Sequence, residues 1–310
     1  MRYATFSLPN DRTPRLGVVD ADRVVDLNKL VAGKISGVST DGLLGLIQSG
    51  PAAWRQVTAL VRDQLSSGAA ASAIHRSDAV RWHAPIPRPA KNIFCIGLNY
   101  LAHLRESSRA RERQAKIPEV PVFFSKPPTT VTGPYDPIPW DQSATQELDY
   151  EVELGVIVGV GGKNIPRGTA LDHVFGYTII NDVSARDLQK SHMQWFKGKS
   201  LDGSCPMGPV VVTSDEFGDP QQKQLTLRVD ADTRQNANTN EMIFPVDVII
   251  EFLSKGLTLE AGDIIATGTP EGVGLARTPP LYLKDGELVE AAIEGIGAIR
   301  NRVDAAVAAS

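Results

Sequence analysis

Beyond residue 85, hydrophobic residues occur in short runs that glycines and prolines separate. Runs of this length, bounded by turn residues, predict strands rather than long helices. Nine strands are predicted, over residues 92–96, 122–124, 150–160, 174–180, 208–212, 225–229, 263–266, 281–283 and 287–293. Few helices are expected, so this part of the chain predicts a β-rich domain, built as a sandwich, a roll or a barrel-like closure.

The first 84 residues have a different pattern. Apolar runs at 16–19 and 23–27 flank a short turn and predict a hairpin, whereas 41–47 and 54–61 have helical spacing. A proline-rich connection follows at 84–89. The sequence therefore predicts a small N-terminal α+β domain over residues 1–84 and a larger β-rich domain over residues 85–310.

Length and composition narrow the class of protein. A chain of 310 residues that is 42% hydrophobic can bury a substantial core, so a globular fold is expected. A net charge of −4 shows no basic bias, which argues against nucleic acid as a partner and favours a small molecule. The first residues lack an apolar signal core, and no stretch approaches the roughly 18 uninterrupted apolar residues of a membrane span. We expect a cytoplasmic protein without a membrane partner.

Only two cysteines occur, Cys95 and Cys205. They are too few and too far apart in sequence to indicate a zinc cluster or a disulfide framework. Each is expected to be a small buried residue.

Three acidic residues are the strongest chemical signal in the chain. Glu151 and Glu153 lie two apart in a predicted strand, and Asp182 closes the apolar run of the next strand. Side chains two apart in a strand project to the same face, so a neighbouring strand can bring Asp182 beside the two glutamates. Three carboxylates without a thiolate suit a hard cation.

The alternative is that these residues form the solvated face of an amphipathic strand. Four acidic residues share the same parity along the chain: Glu147, Asp149, Glu151 and Glu153. The strand becomes apolar on both faces further along, however, so its carboxylates are expected at the mouth of a buried region. Buried charges there are costly unless they are paired or bound to a cation, which favours the metal site.

A histidine and a glutamate follow the strand predicted at 92–96. The intervening residues predict a turn and the start of a helix, with Asn99 as a possible N-cap. His103 and Glu106 are then three apart and meet on one helix face. A carboxylate orients an imidazole and raises its basicity, so the pair can activate water. An ordinary surface ion pair is the alternative.

Three further segments carry candidate groups. Lys197 and Lys199 lie among aromatic residues, and one of them can stabilise an oxyanion or enolate, although the sequence does not say which. The glycine-rich turn at 268–274 is either a tight turn or a place where Thr269 and nearby amides bind a substrate carboxylate. The polar run at 105–116 is either a solvated segment or a lid that closes over an acidic substrate.

Taken in order, these segments resemble the fumarylacetoacetate hydrolase family over most of residues 90 to 300. The resemblance rests on GLNY (97–100) with His103 and Glu106, FSKP (124–127), DYEVELG (149–155), NDVSARD (181–187) with Gln189, Lys199 followed by PMGP (206–209), and GTPEGVG (268–274). It implies a mixed β-sandwich roll, a β-rich α+β fold that usually forms homodimers.

The resemblance also implies roles for individual residues. Glu151, Glu153 and Asp182 would bind one Mg²⁺ or Mn²⁺ per chain. His103 and Glu106 would form a catalytic dyad, and Lys199 would contact the metal-bound substrate. Substrate binding is implied for Thr269, which would hold the carboxylate, and for Lys126, Arg186 and Gln189 near the site.

The expected activity is metal-dependent hydrolysis of the C–C bond of an acylpyruvate or a similar 2,4-dioxo acid through an enolate. Decarboxylation of oxaloacetate, or isomerisation of a hydroxy-diene dicarboxylate, is the alternative, because both pass through the same kind of enolate. The partner would be a small 2-oxo acid or dicarboxylate. A non-catalytic protein with this fold would be expected to lack one of the carboxylates or Lys199, and all are present.

Overall fold

The computed structural model describes residues 1–31, 34–35, 37–68, 70–110 and 114–305. Residues 111–113 of the predicted lid lie outside the described residues. The strands are β1 (Arg2–Leu8), β2 (Asp11–Asp20), β3 (Arg23–Asp26), β4 (Ile74–Arg76), β5 (Arg81–His83), β6 (Ile93–Gly97), β7 (Val122–Lys126), β8 (Val131–Thr132), β9 (Ile138–Pro139), β10 (Leu148–Asp149), β11 (Val152–Val158), β12 (Gly162–Lys163), β13 (Val174–Asn181), β14 (Ser184–Ala185), β15 (Cys205–Thr213), β16 (Gln224–Val229), β17 (Asp232–Asn238), β18 (Thr258–Leu259), β19 (Ile264–Ala266), β20 (Leu288–Ile293) and β21 (Gly297–Asp304).

The helices are short except for one. They are α1 (Leu27–Val31), α2 (Gly42–Gln48), α3 (Gly50–Ser66), α4 (Leu101–Ala110), α5 (Arg186–Ser191), α6 (Ser214–Phe217) and α7 (Val246–Ser254). In α3, Ala53, Val57 and Val61 are buried at a spacing of four, which places them on one face of the helix. No helix in the described part of the chain has both the length and the apolar composition needed to cross a lipid bilayer.

Two sheets form the body of the fold. The central path of the larger, twelve-stranded sheet has the order β4-β3-β2-β1-β15-β13-β11-β19-β6-β7, with β5 paired to β1 and β8 paired to β15. The second sheet has the order β17-β16-β20-β21-β9. Both contain antiparallel and parallel pairs, and neither closes into a barrel. The predicted mixed sandwich of an α+β protein is confirmed.

The larger sheet is covered on both faces. Leu154 and Tyr177 share one core with Leu225 and Ala291 of the five-stranded sheet. The opposite face packs against α2 and α3, where Trp54 meets Phe175 of β13 edge to face at 4.9 Å. Because both faces are covered, every residue of β11 and β13 is buried. Charged side chains at the ends of these strands therefore enter a dry interior.

The N-terminal segment joins the larger sheet directly. The predicted hairpin is β2–β3, and β1 pairs antiparallel with β15 in the register Tyr3↔Val211. The predicted helices at 41–47 and 54–61 are present as α2 and part of α3. The division of the chain at residue 84 stays a prediction.

Eight of the nine predicted strands are present, although their ends differ by several residues. The prediction of a strand at 281–283 is wrong. The backbone amides of Leu281 and Leu283 each donate one hydrogen bond, to the carbonyl oxygens of Gly274 and Leu148, and no strand pairing forms. The prediction omitted β17 and β21. The sequence of β17, DTRQNAN, contains one apolar residue in seven, so it carries no strand-like alternation.

Candidate active site

The three predicted metal ligands meet where β11 begins and β13 ends. Glu151 directly precedes β11, Glu153 lies within it, and Asp182 directly follows β13. The two segments are joined because the amide of Asp182 donates to the carbonyl oxygen of Glu151 at 2.8 Å. All three side chains are buried, and one ligand oxygen from each lies within 4.8 Å of the others. The structure thus brings together the carboxylates that the sequence predicted.

Two lysines and an arginine surround this carboxylate triad, Glu151, Glu153 and Asp182. The ammonium of Lys199 lies 2.6 Å from an oxygen of Glu151 and 2.6 Å from an oxygen of Asp182. Lys126 lies 2.8 Å from the other oxygen of Asp182, and Arg186 lies 2.6 Å from the other oxygen of Glu151. Two of the three carboxylates are therefore paired with cationic groups.

Glu153 differs from the other two members of the triad. It accepts a hydrogen bond from the amide of Gly268 at 2.8 Å, and no lysine or arginine of the described residues forms an ion pair with it. Burial, reinforced by the charges of Asp182 and Glu151, raises the pKa of Glu153 well above its usual range. A buried carboxylate in this position needs a proton or a cation.

The pKa of Glu151 is shifted the opposite way. Burial acts to raise this pKa, but the charges of Lys199 and Arg186 outweigh burial and lower it below its usual range. For Lys199, burial acts to lower the pKa, and the charges of Asp182 and Glu151 outweigh that effect and raise it. Glu151 is thus an anion and Lys199 a cation at neutral pH.

The donor set fits a divalent hard cation. Carboxylate oxygens are the ligands that Mg²⁺, Mn²⁺ and Ca²⁺ prefer, and the triad offers no sulfur or imidazole. Glu153 supplies the buried carboxylate without a cationic partner that a metal would neutralise. The buried triad therefore fits a divalent metal site.

The aromatic segment after α5 positions one of its two lysines at the triad. Lys199 ends a short 3-10 helix, Lys197–Lys199, and is 1% exposed, whereas Lys197 is exposed to solvent. The ammonium of Lys199 also lies 5.1 Å from the centre of the Phe124 ring. The structure thus selects Lys199 from the two lysines that the sequence left open.

Lys126 lies at the end of β7 and is completely buried. Besides Asp182, its ammonium donates to the carbonyl oxygens of Val183 at 3.1 Å and Lys199 at 2.6 Å, and to the Ser204 hydroxyl at 3.2 Å. These contacts tie Asp182 to the backbone around it. Lys126 thus holds Asp182, one member of the triad, in position through buried contacts.

The predicted dyad is formed on α4. The Nδ1 atom of His103 lies 3.0 Å from Glu106, and its Nε2 atom lies 3.4 Å from the Ser107 hydroxyl. The Gly272 amide donates to both oxygens of Glu106, which fixes this carboxylate from the side opposite the histidine. The possible cap Asn99 serves another purpose, because its side chain bonds the backbone of residues 244 and 267.

Arg186 and Gln189 lie together on α5 and are both buried. The Arg186 guanidinium donates to Gln189 at 3.1 Å and to Asp149 at 2.8 Å. Asp149 also accepts hydrogen bonds from the amides of Gly274 and Leu275. Asp149 was not among the predicted site residues, although it shares the parity of Glu151 along the strand. It links Arg186 to the glycine-rich turn.

The hydroxyl of Thr269 is fully engaged as a donor. It donates to the carbonyl oxygen of Val152 at 3.0 Å and accepts from the Gln235 side chain at 2.8 Å. Gln235 lies on β17, the polar strand that was not predicted, and no sequence signal marked it. A substrate carboxylate beside Thr269 therefore needs donors other than this hydroxyl proton, such as the amides of the turn.

These groups face one small cavity of about 20 Å³, which we call the inner cavity. Its walls include the side chains of His103, Glu151, Glu153, Lys199 and Thr269, together with Ser107, Trp195, Arg186 and Gln189. A volume of this size holds about one water molecule or ion. His103 of the dyad, Glu151 and Glu153 of the triad and the buried Lys199 thus line one space, and Glu106 and Asp182 bond to members of that lining.

A larger basin of about 850 Å³ adjoins the inner cavity, and we call it the outer basin. Arg186, Gln189 and Trp195 line both spaces. The outer basin also has Arg109, the last described arginine of the predicted lid, on its wall. The site therefore has a small chemical compartment and an adjacent space large enough for the rest of a ligand.

This fold and this carboxylate centre define the class of fumarylacetoacetate hydrolase enzymes. The chain belongs to that family, since the family model "Fumarylacetoacetate (FAA) hydrolase C-terminal" matches residues 92–304. The resemblance inferred from the sequence is confirmed.

Individual relatives extend over nearly the whole chain. The oxaloacetate tautomerase YisK of Bacillus subtilis (strain 168) is 43% identical over 311 residues, covering 98% of this chain and 100% of the relative. The fumarylacetoacetate hydrolase structure from Exiguobacterium antarcticum is 41% identical, covers 98% of this chain and 99% of that one, and has a TM-score of 0.79. A maleylpyruvate hydrolase from Sphingobium sp. SYK-6, in complex with manganese(II) and pyruvate, is 29% identical over 98% of this chain and 99% of that one, with a TM-score of 0.76.

Proposed function

We propose that this protein is a divalent-metal-dependent tautomerase that interconverts the enol and keto forms of oxaloacetate. The observation that carries the proposal is that His103 of the dyad and two carboxylates of the triad, Glu151 and Glu153, line one cavity. Similarity to an oxaloacetate tautomerase along the whole of both chains supports the choice of substrate. The proposed cofactor is one Mg²⁺ or Mn²⁺ per chain, and the manganese in the related maleylpyruvate hydrolase structure supports it.

Tautomerisation moves a proton between two positions of the substrate. The enol oxygen on C2 loses a proton and C3 gains one. A cation held by Glu151, Glu153 and Asp182 would supply Lewis acidity to the 2-oxo acid.

His103 is the proposed proton carrier. Glu106 holds its Nδ1 atom at 3.0 Å, which leaves Nε2, 3.4 Å from the Ser107 hydroxyl, as the ring nitrogen for proton transfer. Lys199 lines the same cavity, and its positive charge favours the enolate over the keto and enol forms, which carry one negative charge fewer. For proton transfer at carbon, the inner cavity therefore offers a base, His103, which Glu106 orients, and a cation, Lys199.

Hydrolysis of an acylpyruvate is the second candidate function. The same dyad can deprotonate a water, and the similar maleylpyruvate hydrolase structure, with manganese and pyruvate, supports this reading. Decarboxylation of oxaloacetate and isomerisation of a hydroxy-diene dicarboxylate use the same groups. Tautomerisation is preferred because it requires no positioned water and agrees with the oxaloacetate tautomerase relative, which is 43% identical, compared with 29% for the maleylpyruvate hydrolase.

The test starts from chelator-stripped protein, assayed with and without added Mg²⁺ or Mn²⁺. Loss of the ultraviolet absorbance of enol-oxaloacetate measures tautomerisation, and pyruvate release from oxaloacetate or from a short acylpyruvate measures decarboxylation or hydrolysis. Glu153→Ala removes a triad member, and His103→Asn removes the base. Lys163→Met, an exposed substitution on β12, is the control.

We expect metal-dependent tautomerisation in the wild type and the control, and its loss in both site variants. Pyruvate release from the acylpyruvate without tautomerisation would replace the proposal with hydrolysis. Equal tautomerisation by wild type and Glu153→Ala would contradict a role for the triad. The homodimer and the cytoplasmic location stay predictions, and light scattering of the purified protein tests the first.

A further inference from the structure

The outer basin has a charge that the chain as a whole does not have. The protein has a net charge of −4, yet four of the side chains that line the basin are permanently cationic and one is a carboxylate. The cationic residues are Arg109, Arg186, Lys190 and Arg277, and the carboxylate is Glu147. Such a local excess of positive charge favours an anionic ligand.

The cations of the basin are not equivalent. Arg186 is neutralised by Asp149 and Glu151, so it has little charge left for a ligand. Arg277 donates to the carbonyl oxygen of Arg234 at 3.2 Å, its Nε atom is buried without a hydrogen-bond partner, and among the described residues no carboxylate forms an ion pair with it. Arg277 therefore presents an uncompensated charge at the basin wall.

A second arginine, Arg234, lies next to Arg277 and accepts a hydrogen bond from it through its backbone carbonyl oxygen. The side chain of Arg234 is only 10% exposed, and its Nη1 atom has no hydrogen-bond partner. Its ion-pair partner, Asp232, lies 2.9 Å from Nε and is 59% exposed, so solvent screens that pair. The Nε atom of Arg277 and the Nη1 atom of Arg234 are thus buried donors without a hydrogen-bond partner among the described residues, which is costly, and an anion bound beside Arg277 offsets part of that cost.

The arginine pair is connected to the dyad through one residue. The amide of Gly272 donates to Glu106, and the carbonyl oxygen of Gly272 accepts from the Tyr150 hydroxyl at 3.0 Å. Burial and the charge of Asp149 raise the pKa of the Tyr150 hydroxyl to about 12, whereas the charges of Arg277 and Arg234 act to lower it. The same turn therefore borders the catalytic dyad on one side and the arginine pair on the other.

We propose that Arg277, supported by Arg234, binds the second carboxylate of the substrate in the outer basin and makes the enzyme selective for dicarboxylic 2-oxo acids. This inference rests on the proposed function, which places the 2-oxo acid end of the substrate beside the carboxylate triad and the dyad. It assigns selectivity to the turn after β19 and to β17, rather than to the predicted lid. Guanidinium groups suit this task because they bind carboxylates through paired donors.

The test compares ligands that differ only in the distal carboxylate. Calorimetry on Mn²⁺-loaded protein measures Kd for 2-oxoglutarate and 2-oxoadipate, and for the matched monocarboxylic acids 2-oxopentanoate and 2-oxohexanoate. The variants are Arg277→Met, which removes the charge, and Arg277→Lys, which keeps it. Arg228→Met is the control, because Arg228 is an exposed arginine on the neighbouring strand β16.

We expect the wild type and Arg228→Met to bind at least one diacid about tenfold or more tightly than its monoacid. Arg277→Met should bind the diacid and its monoacid with similar Kd values, and Arg277→Lys should keep part of the preference for the diacid. If Arg277→Met keeps the full ratio, or if the wild type shows none while binding monoacids, the arginine subsite is refuted and the proposed function stands. If Mn²⁺ binds but no 2-oxo acid does, the proposed function fails together with the subsite.

Discussion

Replacement of Lys126 by methionine tests how the carboxylate triad is held together. Methionine has a side chain of similar length, so Lys126→Met removes the ammonium while filling most of the same space. The change removes the 2.8 Å ion pair with Asp182 and the three hydrogen bonds to Val183, Lys199 and Ser204. The substitution leaves the carbonyl oxygens of Val183 and Lys199 and the Ser204 hydroxyl without this donor. It also leaves part of the Asp182 charge uncompensated in an environment without water.

The size of the effect follows from burial. Removing one partner from a buried ion pair costs about 3–5 kcal/mol, because the remaining charge is left uncompensated. Asp182 keeps Lys199 at 2.6 Å, which reduces this part of the cost, whereas the abandoned carbonyl oxygens add to it. We therefore expect metal-free Lys126→Met to lose about 3–5 kcal/mol from its free energy of unfolding, a large share of the roughly 5–15 kcal/mol of a typical domain.

Equilibrium urea unfolding of chelator-treated protein, followed by tryptophan fluorescence, measures this loss. Lys163→Met is the matched control: it makes the same chemical change at an exposed position on β12, where the free energy of unfolding should change by less than about 0.5 kcal/mol. A loss of less than about 1 kcal/mol in Lys126→Met would refute the argument, because it would mean that the Lys126–Asp182 pair is not an obligatory buried pair.

Three further predictions concern the site. Since burial and the charges of Asp182 and Glu151 raise the pKa of Glu153, Mn²⁺ must displace a proton from it, so binding should release protons and weaken as the pH falls. Calorimetry in two buffers of different ionisation enthalpy measures the release, and identical heats in both would contradict it. Glu106→Gln should lower kcat by about 100-fold or more, because it removes the carboxylate that orients His103. Mn²⁺ binding should be unaffected, because Glu106 is not a member of the triad. An unchanged kcat would refute a catalytic role for the dyad. Gly97→Ala should destabilise the protein by about 1–3 kcal/mol, because the new Cβ would lie 2.3 Å from the Trp195 ring, whereas Gly168→Ala, which meets no atom within 4 Å, should be near neutral in thermal unfolding.

Much of the site was predictable because it follows from local patterns. Period two brought Glu151 and Glu153 to one face, and the apolar run that Asp182 closes indicated the neighbouring strand. Helical spacing brought His103 and Glu106 together on α4. Within each of these two pairs the residues lie close in sequence, so backbone geometry determines their distance, whereas Asp182 reaches the glutamates through the pairing of β13 with β11.

Other features depend on contacts between distant segments. Lys197 and Lys199 are indistinguishable in sequence, and only the packing of their 3-10 helix against the triad buries one and exposes the other. Gln235 reaches Thr269 from a polar strand of the second sheet, which local patterns did not predict. The order of the twelve-stranded sheet likewise results from pairings between segments far apart in the chain.

The sequence by itself determined the β-rich class and the family, and it identified the carboxylates and the dyad of the candidate site, because these rest on short-range periodicity and on residue type. The tertiary structure alone decided which charges compensate one another, that the Thr269 hydroxyl donates to Val152, and that Arg277 lines the outer basin without an ion-pair partner among the described residues. The physical reason is that burial and charge pairing are properties of the surroundings of a side chain. Those surroundings come from other strands and turns, which lie from 17 residues away, as for Lys199 and Asp182, to 115 residues away, as for Gly268 and Glu153.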